Sequence, residues 1–383
     1  MLESIAFFLL GLVVGMASGL VPGLHPNLIS SVLLLQNIDY GNKAVLIISV
    51  YAGNLVFSCV PAIFFGVPDG RSMLSVLPGQ RMAKEGRGIE AIKIYTVAIL
   101  GAAAISTLLA PLAITAYPIA YSALRPYIFQ ILLLASLAML IKAKTPVKSS
   151  VIFIASGALG IYALGEGRMN EPFLPLFSGF FAMGALLNYK KTRMIGQKDH
   201  EIGLGVLKFA ALGAGLGWVA NVFPAIGSPG QVAALASIFI ALESRNYLAT
   251  VAAVNAGQFV FSLAASAGMD KARNGVALAL SQVLDVGGNM QMLLLVFLCG
   301  SAISALALFI LRKRIAVLAS FDFSEFNKLL VVYLAALVFA LNGVPGLAVF
   351  AVSSVIGWIT VREGIERTSM MGALIIPTAM LLA

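Results

Sequence analysis

Two stretches of this chain carry the same pattern of glycine and proline in an apolar setting. The first is Gly-Leu-Val-Val-Gly-Met-Ala-Ser-Gly-Leu-Val-Pro-Gly-Leu-His-Pro-Asn at 11–27, and the second is Gly-Ala-Gly-Leu-Gly-Trp-Val-Ala-Asn-Val-Phe-Pro-Ala-Ile-Gly-Ser-Pro-Gly-Gln at 213–231. Each is followed by a matched phrase, Val-Tyr-Ala-Gly-Asn-Leu-Val-Phe-Ser at 50–58 and Val-Asn-Ala-Gly-Gln-Phe-Val-Phe-Ser at 254–262. An internal repeat whose copies are both broken by glycine and proline is typical of secondary transporters with a site between the repeats.

The composition is that of a membrane protein. Hydrophobic residues make up 60% of the chain and charged residues 11%, against about 45–50% and about 25% in soluble domains. Apolar runs long enough to cross a bilayer recur along the whole length. We therefore predict an all-α, polytopic integral membrane protein, multi-pass in the cell membrane, with about 10–14 transmembrane or re-entrant helices.

Several function classes are disfavoured by the residues present. Cys59 and Cys299 lie inside apolar runs, and two histidines are too few for a metal site, so we expect neither a disulfide framework nor a metal centre. The net charge of +9 comes from basic residues in short loops between apolar runs, where they set membrane topology. We find no phosphate-binding loop and no nucleophile elbow. We therefore expect no enzyme and no cofactor, apart from Na⁺ or H⁺ as a coupling ion.

The chain divides into two halves, each with a broken helix or hairpin followed by trailing helices. The apolar runs at 27–36 and 229–242 are short for a crossing, which favours re-entrant half-helices. The pattern leaves open whether the two repeats are inverted or parallel. The bounds are repeat 1 at 1–189 with its broken hairpin at 5–66, an inter-repeat loop at 190–202, and repeat 2 at 203–383 with its broken hairpin at 203–268.

The prolines in each copy predict a helix break inside the membrane. Pro22 and Pro26 cannot both sit in an unbroken helix, because each removes a donor and clashes with the preceding turn. Pro224 and Pro229 repeat the design. A buried helix N-terminus offers free amides and partial positive charge, which suits an anionic group. Two such breaks facing each other would form an anion site; the alternative is two kinked helices packed through glycine.

Matched polar side chains follow each break at helical spacing. Asn54 and Ser58 follow the first, and Gln258 and Ser262 follow the second. Such groups either line a polar path or hydrogen-bond neighbouring helices. Together with the breaks they give the candidate substrate-binding residues: Ser18, Pro22, Gly23, His25, Pro26, Asn27, Asn54, Ser58, Asn221, Pro224, Gly227, Ser228, Gly230, Gln231, Asn255, Gln258 and Ser262.

A carboxylate and a guanidinium lie close together in sequence after each copy. Asp69 and Arg71 follow the first, and Asp270 and Arg273 follow the second. Ionisable groups at membrane depth are candidates for charge recognition or ion coupling. The alternative is a pair of loop ion pairs at the level of the lipid headgroups.

Four segments resemble a known family. Gly19–Asn27 resembles the Gly-x-x-Pro-Gly-Leu-Gly-Pro signature of the large permease subunit of tripartite tricarboxylate transporters, the TctA family. Residues 78–91 resemble its Asp-Gly-x-Pro-Met-Ala-x-x-Gly-x-x-x-x-Ala segment, and 177–182 is similar to its Gly-Leu-Phe-Ala stretch. Residues 367–377 resemble the shorter archaeal branch of that family.

The resemblance implies an ion-gradient-driven permease for a small organic anion, such as a di- or tricarboxylate. It also implies a small membrane subunit and an extracytoplasmic binding protein as partners, with no nucleic acid. Two alternatives stay open. A polyprenyl-phosphate translocase would need more basic charge at the site, and a non-transporting structural subunit would have a dry, packed interface between the repeats. Whether the chain forms a homo-oligomer in the bilayer is also left open.

Overall fold

A computed structural model of the chain describes residues 2–21, 24–65, 76–165, 169–187, 195–222, 243–317 and 324–382. Among these residues every regular element is a helix. Seven stretches in this part of the chain are long and apolar enough to cross a membrane, which confirms the all-α, polytopic class. The division into two repeats stays a prediction at this point. The seven are Leu2–Leu20, Tyr40–Phe64, Gly88–Ile141, Pro146–Leu164, Ser244–Met269, Met290–Ala316 and Lys328–Arg362.

We number the α-helices α1 to α15 in chain order. Two π-helical turns, at Pro61–Phe65 and Ser178–Met183, and two 3-10 turns, at Arg125–Tyr127 and Arg367–Met371, lie between them. The helices are α1 (Leu2–Leu20), α2 (Pro26–Leu34), α3 (Tyr40–Phe57), α4 (Val76–Lys84), α5 (Gly88–Leu124), α6 (Ile128–Ile141), α7 (Pro146–Leu164), α8 (Phe173–Phe177), α9 (Gly184–Leu187), α10 (Val206–Val222), α11 (Ser244–Met269), α12 (Gly275–Ser281), α13 (Met290–Ala316), α14 (Ser324–Arg362) and α15 (Gly372–Leu382).

The first pair of helices, α1 and α3, packs through glycine and runs parallel. A β-carbon on Gly11 would lie 2.8 Å from the Leu46 carbonyl oxygen, and one on Gly19 would lie 3.0 Å from the Asn54 carbonyl oxygen. Contacts therefore advance in the same direction along both helices. Glycine permits this close backbone approach, which is how helices associate in lipid without a hydrophobic driving force.

The short helix α2 returns the chain between these two parallel helices. Its beginning lies near the end of α3, because the Leu24 carbonyl accepts a hydrogen bond from Asn54. Its last turn lies near the start of α3, where Lys43 Nζ donates to the Leu34 carbonyl at 3.4 Å. Nine helical residues span only about 14 Å at 1.5 Å per residue. The non-helical residues 24–25 and 35–39, on either side of α2, therefore extend the returning segment, as expected of a broken re-entrant helix.

A second pair, α10 and α11, packs in the same manner. A β-carbon on Gly213 would lie 2.6 Å from the Thr250 carbonyl oxygen, and one on Gly217 would lie 2.7 Å from the Gln258 nitrogen. These helices are also parallel. The run predicted at 229–242 lies outside the described residues.

The central helix α5 is 37 residues long and contains Pro111 and Pro118. It packs against α10, α11 and α13, and its start lies beside the end of the α3 segment. Around it lies a continuous apolar core. The proline-containing stretch continues as helix, because neighbouring helices can meet the freed carbonyls of a transmembrane helix. Tyr117 links α5 to α10, because its hydroxyl donates to the Trp218 carbonyl at 2.9 Å.

A smaller apolar cluster lies to the side, formed by α7, α8, the end of α14 and the start of α15. Helix α14 is broken at Gly343, which has φ 60° and ψ −154°, a conformation that glycine adopts readily. The break is supported from the α7–α8 loop: the Glu171 N–H donates to Asn342 Oδ1 at 2.8 Å, and Asn170 donates to the Leu341 carbonyl at 3.0 Å. Burial raises the pKa of Glu171.

Two carboxylates hold the helices together at the face where α5 begins. Glu90, only 3% exposed, pairs with Arg87 at 2.8 Å and with Arg245 of α11 at 3.3 Å. Asp199 pairs with Lys93 of α5 and with Arg312 of α13. The hydrogen bond from Lys93, helped by the second basic partner, lowers the pKa of Asp199. Lys93 of α5 and Arg312 of α13 therefore both meet Asp199 at this face.

Candidate functional site

The break after α1 is braced by a single amide. Asn54 Nδ2 donates to Ser18 Oγ at 2.9 Å and to the Leu24 carbonyl at 3.2 Å. Asn54 lies about 21 Å along α3 from its start at Tyr40, well inside the span that continues to Phe64. A carbonyl freed at that depth has no bulk water to bond, so a side chain must satisfy it. Asn54 meets that requirement for Leu24.

The N-terminus of α2 starts at this break. His25 is extended, with φ −78° and ψ 142°, and its Nδ1 accepts from the Asn27 backbone nitrogen at 3.2 Å. Pro26 occupies the first helical position, where the missing N–H costs nothing. His25 therefore caps the helix, which needs an unprotonated Nδ1. The nine-residue helix directs its partial positive charge into the break.

Asn27 brings the first half of the chain against the second. A β-carbon on Gly275, at the start of α12, would lie 2.6 Å from Asn27 Nδ2. Asn27 Oδ1 is buried and has no hydrogen-bond partner. Helix α12 packs on both α2 and α3. A side chain larger than glycine at position 275 would therefore displace Asn27.

Arg273 lies two residues before Gly275, in the corner between α11 and α12. Its backbone N–H donates to Ser262 Oγ at 2.8 Å, and its Nε donates to the Asn221 carbonyl at 3.3 Å. The guanidinium carbon lies 5.4 Å from the ring centroid of Tyr121. Its Nη2 is buried and has no partner. Burial is the main reason that the pKa of Arg273 is lowered, yet a guanidinium stays charged at physiological pH.

Asn221 joins the end of α10 to the middle of α11. Its Nδ2 donates to the Gly217 carbonyl at 2.8 Å and to the Gln258 carbonyl at 3.1 Å. Its Oδ1 is buried without a partner. In each copy, then, an asparagine amide links the first helix of the pair to the second near the point where the first helix ends.

The structure brings together several of the residues expected from the sequence and separates others. Ser18, His25, Pro26, Asn27 and Asn54 lie at the first break, and Asn221, Gln258, Ser262 and Arg273 lie at the end of the α10–α11 pair. Ser58 instead donates to the Leu55 carbonyl of its own helix, and Asn255 Nδ2 donates to the Val251 carbonyl. The candidates outside the described residues are Pro22, Gly23, Asp69, Arg71, Pro224, Gly227, Ser228, Gly230 and Gln231.

Asp270 and Arg273 do not form the loop ion pair that was the alternative interpretation for this copy. No ion pair joins these two described residues. Asp270 ends α11 in the left-handed conformation, with φ 52° and ψ 33°, where its N–H donates to the Ser266 carbonyl. Arg273 instead donates to Ser262 and Asn221, and within the described ranges no carboxylate forms an ion pair with it.

Two features of the structure were missed by the sequence reasoning. Tyr121 of α5 lies against Arg273 and also accepts a hydrogen bond from Lys271 at 3.1 Å, although some 150 residues separate it from that corner. The break in α14 carries Val-Pro-Gly-Leu at 344–347, identical to the Val-Pro-Gly-Leu at 21–24. A search for the repeated tetrapeptide would have found the break in α14. No local sequence signal points to the contact between Tyr121 and Arg273.

The described residues contain no group of three or more His, Cys, Asp or Glu side chains placed to hold a metal ion. Buried polar atoms without a hydrogen-bond partner in the described part of the chain include Arg273 Nη2 and the Oδ1 atoms of Asn27 and Asn221. These are groups that bind and orient a polar ligand.

Comparison with known proteins assigns the family. The model of the tripartite tricarboxylate transporter TctA family matches residues 5–372. The chain is 26% identical to an uncharacterized protein of Methanocaldococcus jannaschii, over 98% of each chain. No solved structure matches. With the family model covering nearly the whole sequence, the chain belongs to the tripartite tricarboxylate transporter TctA family.

Proposed function

We propose that this chain is the permease component that moves a small organic anion, a di- or tricarboxylate, across the cell membrane. Family membership makes it a component of a tricarboxylate transporter, with a membrane partner and a substrate-binding protein. We choose this site because Arg273 Nη2 is a buried guanidinium nitrogen that has no hydrogen-bond partner.

A buried cation without a counter-ion is costly, and a carboxylate is the ligand that best removes the cost. Arg273 Nε donates to the Asn221 carbonyl, which leaves Nη2 available for a charge-assisted hydrogen bond to a carboxylate. The N-terminus of α2 adds partial positive charge on the side of Asn27. An anion bound between Arg273 and α2 would contact both halves of the chain. This is the arrangement expected of a carrier whose site lies between two repeats.

Drive by an ion gradient is part of the same proposal. The buried Oδ1 atoms of Asn27 and Asn221 are acceptors without partners. Neutral oxygen ligands of this kind suit a hard cation such as Na⁺, or a hydroxyl of the cargo. H⁺ is the other candidate, and an uptake assay under each gradient separates them.

The test is uptake of radiolabelled di- and tricarboxylates by proteoliposomes containing the chain, with Na⁺, H⁺ or no gradient. Loss of a hydrogen bond to a charged group costs about 1.5–3 kcal/mol, so Arg273→Gln should lower uptake about 10- to 150-fold. Arg81→Gln is the matched control, because Arg81 is 73% exposed. Equal uptake by the two variants, or saturable flux of a polyprenyl phosphate but of no carboxylate, would overturn the proposal.

A further inference from the structure

The two helix pairs are packed by matched residues. When the repeated phrases are aligned, Gly11 corresponds to Gly213 and Leu46 corresponds to Thr250. In the structure Gly11 approaches the Leu46 carbonyl, and Gly213 approaches the Thr250 carbonyl. The reverse contact is matched too: β-carbons on Gly53 and Gly257 would lie 2.8 Å from the Leu12 oxygen and 3.0 Å from the Ala214 Cα, respectively.

The direction of α3 is fixed by its contacts with α5. Tyr95 of α5 reaches the Leu55 carbonyl of α3 at 3.5 Å. A β-carbon on Gly88, at the start of α5, would lie 2.7 Å from the ring of Phe64, just past the end of α3. Moving toward the beginning of α5 therefore means moving toward the end of α3. The two helices are antiparallel.

The direction of α11 is fixed by the same helix and is the opposite. Arg245 at the start of α11 pairs with Glu90 at the start of α5. Farther along, Gly257 approaches Ser106, and near the ends of both helices Gly268 approaches the Ile114 carbonyl. Helix α11 therefore runs parallel to α5 and antiparallel to α3.

The antiparallel helices α3 and α11 meet at matched residues. Tyr51 and Asn255 correspond in the aligned phrases, and the Tyr51 hydroxyl lies 3.5 Å from the Asn255 carbonyl oxygen. The ring of Tyr51 stacks on Phe259 with centroids 4.0 Å apart, and Phe297 of α13 packs against both. Corresponding positions of two copies touch each other only close to the axis that relates the copies.

We propose that the two halves are inverted repeats, related by a pseudo-two-fold axis that lies in the membrane plane and passes between Tyr51 and Asn255. The matched glycine contacts give the repeat, the opposite directions of α3 and α11 give the inversion, and the Tyr51–Asn255 contact gives the position of the axis. The proposal concerns architecture and does not require the proposed cargo.

The axis has a consequence for transport that rests on the proposed function. Asn54 and Gln258 correspond, and each lies three residues, or about 4.5 Å, past the crossing point of its helix. Asn54 and Gln258 therefore lie on opposite sides of the axis, about 9 Å apart along the membrane normal. An exchange of conformation between the two inverted halves would open the site first to one side and then to the other.

The test is the side of the membrane on which α3 and α11 begin, probed at Tyr40, the first residue of α3, and at Glu243, the residue before α11, both of which are exposed. In a chain in which Cys59 and Cys299 are replaced by serine, Tyr40→Cys and Glu243→Cys are labelled in intact cells with a membrane-impermeant maleimide. Gly205→Cys, beside the start of α10 and with open space around it, is the reference for the Glu243 side.

The inverted arrangement predicts that Tyr40→Cys and Glu243→Cys are labelled from opposite sides, with Gly205→Cys matching Glu243→Cys. Labelling of Tyr40→Cys and Glu243→Cys from the same side would overturn the proposal. If Tyr40→Cys does not fold, Leu35→Cys in the loop that precedes α3, 85% exposed, takes its place. Labelling needs no transport, so failure of the cargo proposal and failure of the inverted topology give different results.

Discussion

The amide of Asn54 offers the sharpest test of the helix break. Replacing it with leucine keeps the volume close to that of asparagine but removes both hydrogen bonds, to Ser18 Oγ and to the Leu24 carbonyl. Each bond contributes about 1 kcal/mol, and an acceptor left buried without a partner costs about 1–3 kcal/mol. Ser18 retains its own bond to the Gly15 carbonyl, so the larger loss falls on Leu24. We expect Asn54→Leu to destabilise the folded chain by about 2–4 kcal/mol.

The assay is the melting midpoint of the purified protein in detergent, followed by uptake at a temperature at which each variant is folded. Ser49→Ala is the matched control, because Ser49 is buried in the same helix and its hydroxyl donates to the Val45 carbonyl of that helix, one turn earlier. Asn54→Leu should melt several degrees below Ser49→Ala and lose most of its uptake. Equal midpoints for the two variants would refute the view that Asn54 braces the break.

Three further changes test the packing and the charges. Gly257→Leu should lower the yield of folded protein, since even a β-carbon there would lie 3.0 Å from a neighbouring Cα, whereas Gly205→Leu, in open space, should not; equal yields would contradict this. Asp199→Asn should lower the melting midpoint equally at about pH 8 and about pH 5.5, because the basic partners of Asp199 lower its pKa and keep the carboxylate ionised at both pH values. If the variant and the unmodified chain melt alike at pH 5.5, this explanation is wrong. Glu171→Gln should raise the melting midpoint at about pH 8 and leave it unchanged at about pH 4, because burial penalises the ionised form of Glu171 and so raises its pKa. The same shift of the midpoint at both pH values would exclude this explanation.

The fold class could be predicted from the sequence, because the length of apolar runs and the positions of prolines determine local helix structure. The apolar run predicted at 27–36 is the helix Pro26–Leu34. Proline does not break a helix where tertiary contacts compensate. Helix α5 continues through Pro111 and Pro118, because neighbouring helices pack along it.

The candidate site could be predicted only in part, because its contacts join residues far apart in the sequence. Asn54 was identified as polar at a matched position, yet its partner Leu24 is an ordinary apolar residue that matters only through its carbonyl. Arg273 was named together with Asp270, the nearest acid in sequence. In the structure Asp270 ends α11 in a left-handed turn, and the Arg273 guanidinium donates instead to the carbonyl of Asn221, fifty-two residues earlier. Helices apolar on all sides give no periodicity from which such partners can be derived.

The central claim, that the interrupted helices and Arg273 together bind a negatively charged cargo, is tested most directly by ligand-induced stabilisation. A ligand at 100 times its dissociation constant stabilises the folded state by about 2.7 kcal/mol. We predict that at least one di- or tricarboxylate raises the melting midpoint of the unmodified chain and of Arg81→Gln but leaves that of Arg273→Gln unchanged. An equal rise in all three proteins, or no rise for any carboxylate in the unmodified chain, would contradict the claim.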